Sequence, residues 1–214
     1  MIKAVIFDLD GVIVSTDEFH FKAWKYMATK EGIDFDRKVN NRLRGVSRME
    51  SLNIILEKAS KKYTEEEKIK LAQTKNDVYV NSLLEIDETQ ILPGVLAVIE
   101  ALKKHHIKIA IGSSSRNAKV ILKRIKLFDT FDAIADGTDI KNSKPAPDVF
   151  LVAANKLGIN PKDCLVVEDA EAGIEAAKRA GMFAFAVGDA TKSEVADYKA
   201  EDINELLDVV LVNE

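Results

Sequence analysis

The alternation of short apolar runs with amphipathic segments is the feature of this sequence that most constrains its fold. Apolar runs that predict buried strands lie at 3–7, 107–111, 133–135, 164–167 and 183–187. Segments with a helical period lie at 95–105, 116–126, 147–157 and 170–180. This order is typical of a parallel sheet with helices on both faces. The sequence therefore predicts an α/β fold.

The interval from residue 16 to residue 87 departs from this alternation, because it holds helical patterns and no comparable strand. The segments 47–50 and 64–67 have the spacing of capping boxes, which indicate helix starts. We therefore predict an α/β core domain formed by 1–15 and 88–214, with a helical cap domain at 16–87 inserted after the first strand.

The composition excludes several classes of protein. The chain has 214 residues, 47% of them hydrophobic, and a net charge of -4, which disfavours nucleic acid as a partner. Its one cysteine, Cys164, cannot form an internal disulfide. We predict neither a signal peptide nor a segment of the ~18 apolar residues that span a bilayer. The expectation is a cytoplasmic protein without membrane association, and a monomer by default.

Polar groups stand where three of the predicted strands end. They are Asp8 and Asp10 after the first strand, 113–115 after the second, and Glu168 with Asp169 after the fourth. Because the carboxyl ends of parallel strands meet at one edge of a sheet, ligands bind there. We therefore expect these groups to form one site, together with Lys144, which precedes Pro145 in a loop.

The four carboxylates of this predicted site would repel one another if nothing neutralised them, and some would take up protons. An oxygen-rich cluster of this kind suits a hard divalent cation, and Mg²⁺ fits best when the substrate carries phosphate. Lys144 would add a further positive charge. The competing interpretation, a turn with solvated acids at Asp8 and Asp10, leaves the other polar strand ends unexplained.

These motifs resemble those of haloacid dehalogenase superfamily phosphotransferases. In chain order they are 8–12, Ser113, 144–148 and 168–176. The likeness spans the whole chain, and within the superfamily it is strongest to the β-phosphoglucomutase family, through 44–48, His20, Lys75 and 115–117. The resemblance implies a Rossmann-like parallel sheet core that carries an inserted α-helical cap.

The resemblance also implies a role for each site residue. Asp8 would be the nucleophile that becomes an aspartyl phosphate, and Asp10 the general acid/base that serves a sugar hydroxyl. The implied Mg²⁺ ligands are Asp8, the backbone carbonyl of Asp10, Glu168 and Asp169. The implied phosphate ligands are Ser113, Ser114 and Lys144 for the transferring group, and Arg48, Ser115, Arg116 and Asn117 for the second phosphate. The implied substrate contacts in the cap are His20, Gly45, Val46, Ser47 and Lys75.

Several of these residues have simpler interpretations. His20 falls on a helical stripe with Ala23 and Trp24 and could be an ordinary packing residue. Lys75 could extend its ammonium to solvent. Arg48 opens a predicted helix, where a cation is unfavourable, and this conflict favours a phosphate-binding role. Ser114 stands where the mutases commonly have alanine, and it would contribute its backbone N–H.

The resulting hypothesis is a phosphosugar mutase that interconverts β-D-glucose 1-phosphate and glucose 6-phosphate through a sugar bisphosphate. A closing cap would exclude water, so that a sugar hydroxyl receives the phosphoryl group. The first alternative is a Mg²⁺-dependent sugar-phosphate phosphatase on the same scaffold. The second is a non-catalytic protein that only binds phosphosugars.

Overall fold

A computed structural model describes residues 1–43 and 46–211. The chain divides into two compact units, one formed by Met1–Ser15 with Asp87–Glu214 and the other by Thr16–Ile86. The role of residues 16–87 as a cap stays a prediction. Within the described residues, no helix is both long enough and apolar enough to cross a membrane.

The Thr16–Ile86 unit is helical, and its described residues, 16–43 and 46–86, contain no strand. Its helices are α1 (Asp17–Lys30), α2 (Arg37–Asn41), α3 (Arg48–Leu56) and α4 (Glu65–Ser82). Helix α4 begins with a complete capping box, in which Thr64 and Glu67 each accept the other's backbone N–H. The α1 residues Trp24 and Met27 lie in an apolar core with Phe35.

The other unit is built on a parallel sheet. Its strands are β1 (Ala4–Phe7), β2 (Lys108–Gly112), β3 (Ala133–Ala135), β4 (Cys164–Glu168), β5 (Phe183–Ala186) and β6 (Tyr198–Lys199). They pair in the order β3-β2-β1-β4-β5-β6, and every pairing is parallel. The predicted α/β fold with a parallel sheet core is therefore confirmed, although the prediction did not include β6.

Helices connect and cover these strands. They are α5 (Val95–Lys104), α6 (Ala118–Arg124), α7 (Asp148–Leu157), α8 (Glu171–Arg179) and α9 (Leu206–Leu211). Short 3₁₀ segments lie at Glu88–Gln90, Pro161–Asp163, Gly188–Lys192 and Ile203–Glu205 in this unit, and at Leu83–Glu85 in the helical unit. Helix α7 ends at Gly158, whose φ of 69° is a left-handed conformation that suits glycine. Residues from α7 and α8 share one apolar core with alternate residues of β1, such as Ala4 and Ile6.

The register of the central strands brings three chain segments to one edge. Phe7, the last residue of β1, pairs with Ile111 of β2 and with Val167 of β4. The next residue of each strand is therefore Asp8, Gly112 and Glu168 respectively. This alignment explains why polar groups that are distant in sequence lie together at the carboxyl edge of the sheet.

Candidate active site

Asp8 leaves the sheet at the carboxyl end of β1 and is buried. Its backbone N–H donates to the carbonyl of Val167 at 2.9 Å, which extends the β1–β4 pairing by one residue. Gly11 then turns the chain with a φ of 88°, a conformation that side-chain-bearing residues rarely adopt. The nucleophile predicted from the sequence thus stands on a rigid strand end, immediately before a sharp turn.

Lys144 reaches this strand end from a loop and is also buried. Its ammonium donates to Oδ1 of Asp8 at 2.6 Å and to Oε1 of Glu168. The ammonium also lies 4.7 Å from the centre of the Phe150 ring, a distance at which a ring face attracts a cation. One lysine therefore contacts two carboxylates that come from different strands.

The carboxylates of Asp8, Glu168 and Asp169 form a cluster in which one oxygen of each lies within 4.8 Å of the others. Three oxygen donors this close suit a hard divalent cation, so the residues present fit the predicted metal. The carboxylate of Asp10 lies outside this set of three, but its charge helps to raise the pKa of Asp169, and the convergence of all four carboxylates stays a prediction. The backbone carbonyl of Asp10 stays a predicted ligand.

The electrostatics of the cluster reflect this crowding. Burial, followed by the charges of Glu168 and Asp8, raises the pKa of Asp169 to about 8 against the opposing effect of Lys144. Burial likewise raises the pKa of Glu168 to about 7, although Lys144 works against it. Burial disfavours the Lys144 ammonium, but Asp8 and Glu168 outweigh it and raise the pKa of Lys144 above its ordinary value. A bound cation would relieve the same repulsion between carboxylates.

Two glycines make room for the acidic side chains. A Cβ atom at Gly11 would overlap the carboxylate of Asp169, and one at Gly173 in α8 would overlap that of Glu168. Glycine within a helix costs about 1 kcal/mol relative to alanine, so Gly173 has a reason to be there that helix propensity does not supply. The motif 172–176, which carried part of the resemblance, therefore has a steric explanation in Gly173.

The serine-rich turn follows β2 at the same edge. Ser113 is buried, and its Oγ accepts the N–H of Ser115 at 3.2 Å. The Ser115 Oγ in turn accepts the N–H of Asn117 at 3.2 Å. Because α6 begins at Ala118, with Asn117 as its N-cap residue, Ser115 stabilises the turn before the helix and is not itself the cap. The Oγ of Ser114 is buried and has no hydrogen-bond partner among the described residues.

The loop that carries Lys144 is fastened on both sides. Asp148, the first residue of α7, accepts the backbone N–H of Asn142 at 3.1 Å. Arg179 donates to the carbonyl of Pro145 at 3.1 Å. Phe150 lies beneath the Lys144 ammonium and against Gly112, where an added Cβ would come within 2.7 Å of its ring. Asp148, which ends the 144–148 motif, therefore supports Lys144 through the backbone of the loop.

His20 and Lys75 contact each other within the helical unit. Lys75 is buried, which excludes the interpretation that it extends to solvent. Its ammonium lies 2.8 Å from Nδ1 of His20 and 4.4 Å from the centre of the Tyr79 ring. Because a lysine ammonium only donates, Nδ1 accepts and the proton of the neutral imidazole lies on Nε2. Burial, followed by the charges of Lys75 and Arg48, holds the pKa of His20 well below its usual range.

The other predicted cap residues lie around the start of α3. Ser47 is the N-cap residue and accepts the N–H of Glu50 at 3.2 Å, and Arg48 is the first helical residue. Arg48 and Val46 are half-buried. Gly45, with its neighbour Arg44, lies outside the described residues. The substrate contacts assigned to this group stay predictions.

A pair of residues that was not predicted from the sequence contacts the serine-rich turn. Asp136 and Gly137 follow β3, and Asp136 is buried. The N–H of Gly137 donates to the carbonyl of Ser115 at 3.1 Å. The segment 136–139 begins with aspartate and glycine directly after an apolar run, which is a turn signature that could have identified it.

Comparison with known proteins places this geometry in a family. The haloacid dehalogenase-like hydrolase model matches residues 2–181. The chain is 48% identical over 206 residues to a β-phosphoglucomutase of Bacillus subtilis, which covers 95% of this chain and 91% of the relative. It is 34% identical over 183 residues to a phosphorylated carbohydrates phosphatase of Thermotoga maritima, with coverages of 84% and 82%.

The solved structures agree with the sequence comparisons. A crystal structure of β-phosphoglucomutase from Clostridium difficile superposes with a TM-score of 0.88 at 44% identity, covering 96% of this chain and 93% of that chain. The family-model match over residues 2–181 includes β1 with Asp8 directly after it, and β4 with Glu168 at its end and Asp169 after it. The chain belongs to the haloacid dehalogenase-like hydrolase family.

Proposed function

We propose that this protein is a Mg²⁺-dependent phosphosugar mutase that interconverts β-D-glucose 1-phosphate and glucose 6-phosphate. The observation that carries the proposal is the bridge from Lys144 to Asp8 and Glu168, with Asp169 beside them. In this arrangement the buried Asp8 lies at a strand end, next to the Lys144 ammonium and to carboxylates that suit a metal ion. The 48% identity to a β-phosphoglucomutase over 95% of the chain supports the choice of substrate.

Asp8 is the proposed nucleophile. In the phosphorylated enzyme it holds the phosphoryl group as an aspartyl phosphate, and the C6 hydroxyl of β-glucose 1-phosphate attacks the phosphorus. The bond from phosphorus to the Asp8 oxygen breaks as the new bond to O6 forms, and Asp10 takes the hydroxyl proton. The product of this step is the 1,6-bisphosphate, with Asp8 returned to a carboxylate.

The second half of the cycle reverses these roles at C1. Once the bisphosphate has turned over, Asp8 attacks the phosphorus of the C1 phosphate, and Asp10 returns its proton to the departing sugar oxygen. Glucose 6-phosphate leaves, and the aspartyl phosphate is restored. The proposed groups on the transferring phosphoryl are Ser113 and Lys144, while Asp8, Glu168 and Asp169 would hold Mg²⁺. The ion would neutralise the charge that develops on the phosphoryl oxygens.

The second candidate is a sugar-phosphate phosphatase, which the 34% identity to a phosphorylated carbohydrates phosphatase supports. It would use the same Asp8, Lys144 and acidic cluster, but water would accept the phosphoryl group. The two candidates therefore differ only in the acceptor. The location in the cytoplasm and the monomeric state predicted from the sequence also stay proposals.

The experiment follows both products at once. The protein is mixed with Mg²⁺, β-glucose 1-phosphate and a trace of the 1,6-bisphosphate, and phosphorus NMR records glucose 6-phosphate and free phosphate. A mutase forms glucose 6-phosphate much faster than phosphate. Release of phosphate without isomerisation would make the protein a phosphatase, and substrate binding without either product would leave only a binding protein. Asp8→Asn is the control, and it should form neither product.

A further inference from the structure

The turn that follows β3 is closed by two aspartates. Oδ1 of Asp136 accepts the N–H of Thr138 at 2.8 Å and its hydroxyl at 2.5 Å. The N–H of Asp136 donates to Oδ2 of Asp139 at 3.0 Å. Asp136 is only 1% exposed, so its carboxylate is held by protein groups. A buried carboxylate with this many bonds fixes the conformation of the turn 136–139.

This turn packs directly on the serine-rich turn that follows β2. Ser113 donates its N–H to the carbonyl of Ala135 at 3.1 Å, and Gly137 donates its N–H to the carbonyl of Ser115 at 3.1 Å. Gly137 lies so close that a Cβ atom there would overlap the carbonyl oxygen of Ser114. The two turns are therefore joined along their backbones, and glycine is needed at residue 137 for that approach.

A third contact joins Asp136 to the start of α6, the helix that follows the serine-rich turn. Lys119 pairs with Oδ2 of Asp136 at 3.0 Å, and it lies in the first turn of α6, two residues after Asn117. A cation in the first turn of a helix is unfavourable by the dipole argument, so the helix itself does not explain Lys119. The ion pair does explain it, because it ties the start of α6 to the same buried carboxylate.

From these contacts we propose that Asp136 is a positioning residue for the segment 115–117, through the hydrogen bond from Gly137 to Ser115 and the ion pair with Lys119. The inference rests on the proposed function and on the predicted role of Ser115, Arg116 and Asn117 as ligands of the phosphate that is not being transferred. Asp136 contacts the turn 136–139 and α6, and through them it fixes the positions of the hydrogen-bond donors of those three residues. A displaced segment would weaken the grip on the second phosphate and leave the chemistry at Asp8 intact.

The test compares two substrates, β-glucose 1-phosphate, whose own phosphate is not transferred when its C6 hydroxyl attacks, and acetyl phosphate, which donates its only phosphoryl group to Asp8. Asp136→Asn keeps the shape of the side chain, removes its charge and can turn an amide N–H toward the Lys119 ammonium. We expect the KM for β-glucose 1-phosphate to rise about tenfold, the size of one lost charge-assisted bond, with kcat changed less than threefold. Phosphorylation of Asp8 by acetyl phosphate, which has no second phosphate, should change less than twofold.

Asp132→Asn is the matched control, because Asp132 precedes β3 as Asp136 follows it. Asp132 accepts the N–H of Ile109 at 2.9 Å and pairs with Lys108 at 2.7 Å, at the opposite end of the strand. This variant should keep both the KM and the rate with acetyl phosphate. An equal loss with β-glucose 1-phosphate and with acetyl phosphate in Asp136→Asn, or no change in its KM for the phosphosugar, would overturn the proposal.

Gly137→Ala provides a second variant, which keeps the proposal testable if Asp136→Asn fails to fold. The new Cβ would overlap the carbonyl oxygen of Ser114 and come within 3.0 Å of Arg116, so the KM for the phosphosugar should rise by a larger factor than the rate with acetyl phosphate falls. An unchanged KM would contradict the proposal. If the wild-type protein forms no glucose 6-phosphate at all, it is the proposed function that fails, and this result is separate from any comparison of variants.

Discussion

At the scale of single residues, Lys144 supplies the positive charge that offsets the buried carboxylates of the acidic site. It is 5% exposed and is the ion-pair partner of both Asp8 and Glu168. Removing one partner of a buried ion pair leaves an uncompensated charge, which usually costs more than the pair contributed. Its position beside Asp8 thus has a structural consequence as well as a catalytic one.

We expect Lys144→Met to lower the free energy of unfolding in EDTA by about 3 kcal/mol, because two buried carboxylates lose their cation. Lys3→Met is the matched control, since Lys3 pairs with Asp163 at 2.9 Å but its side chain is 58% exposed. Such surface pairs contribute about 1 kcal/mol or less. Urea unfolding of the three proteins measures the difference. A loss below about 1 kcal/mol in Lys144→Met would contradict this account of the site.

The sequence also predicted single residues with unequal success. The grouping of Asp8 with Glu168 and Asp169 followed from the ends of parallel strands, and the structure has that cluster. The side chain of Asp10 lies outside the set of three, although its charge acts on Asp169, and its convergence with the other carboxylates stays a prediction. The link from Asp136 to Lys119 was not predictable, because it depends on how a turn and a helix from different parts of the chain pack together.

At the scale of secondary structure elements, apolar periodicity located the strands to within about one residue. The predicted strand 107–111 is Lys108–Gly112 in the structure, and 164–167 is Cys164–Glu168. The shift matters, because it places Gly112 and Glu168 inside the sheet and adjacent to Asp8. Strand β6 has only two residues, so no periodic pattern could reveal it.

Helices α1 and α4 hold a titratable pair that gives the helical unit a pH dependence. His20 is neutral in the fold, facing Lys75 and Tyr79 from α4 and influenced by Arg48 from α3. Since the folded pKa of His20 is lowered, the unfolded chain binds a proton that the folded chain does not. Stability from this residue is therefore complete above about pH 6.5, the unfolded value, and declines as the pH falls below it.

We predict that the free energy of unfolding falls below pH 6.5 by as much as about 1.4 kcal/mol per pH unit, the slope for one proton. The fluorescence of Trp24, the single tryptophan, reports on the unit that contains His20. In His20→Gln this part of the slope should disappear, whereas in the control His106→Asn, at an exposed site of the other unit, it should persist. Equal slopes in wild type and His20→Gln would refute the prediction.

At the scale of the whole molecule, the same catalytic cluster is compatible with either a mutase or a phosphatase. The difference must come from residues that bind a second phosphate. Arg48 is the predicted anchor in the helical unit, and a guanidinium can bind phosphate through two hydrogen bonds. A monophosphate being hydrolysed has no need of that anchor, while a bisphosphate that turns over in the site does.

We therefore expect Arg48→Ala to reduce isomerisation about 100-fold, or about 3 kcal/mol, because the second phosphate loses a charged partner. Phosphorylation of Asp8 by acetyl phosphate should change by less than threefold. The control is Arg42→Ala, which removes an arginine of the same unit that pairs with Glu57 at 2.8 Å and is half exposed. If both reactions declined equally in Arg48→Ala, the arginine would have no special part in binding the second phosphate.

The contact of Phe150 with both Gly112 and the Lys144 ammonium limits how this chain can vary in evolution. A larger residue at 112 requires a smaller one at 150, and a smaller one at 150 removes the aromatic surface on which the ammonium rests. A change at either position alone is therefore unfavourable, and we expect related chains to change these two residues together or to keep both. Such paired variation would be detectable in sequences alone, far from any assay of the enzyme.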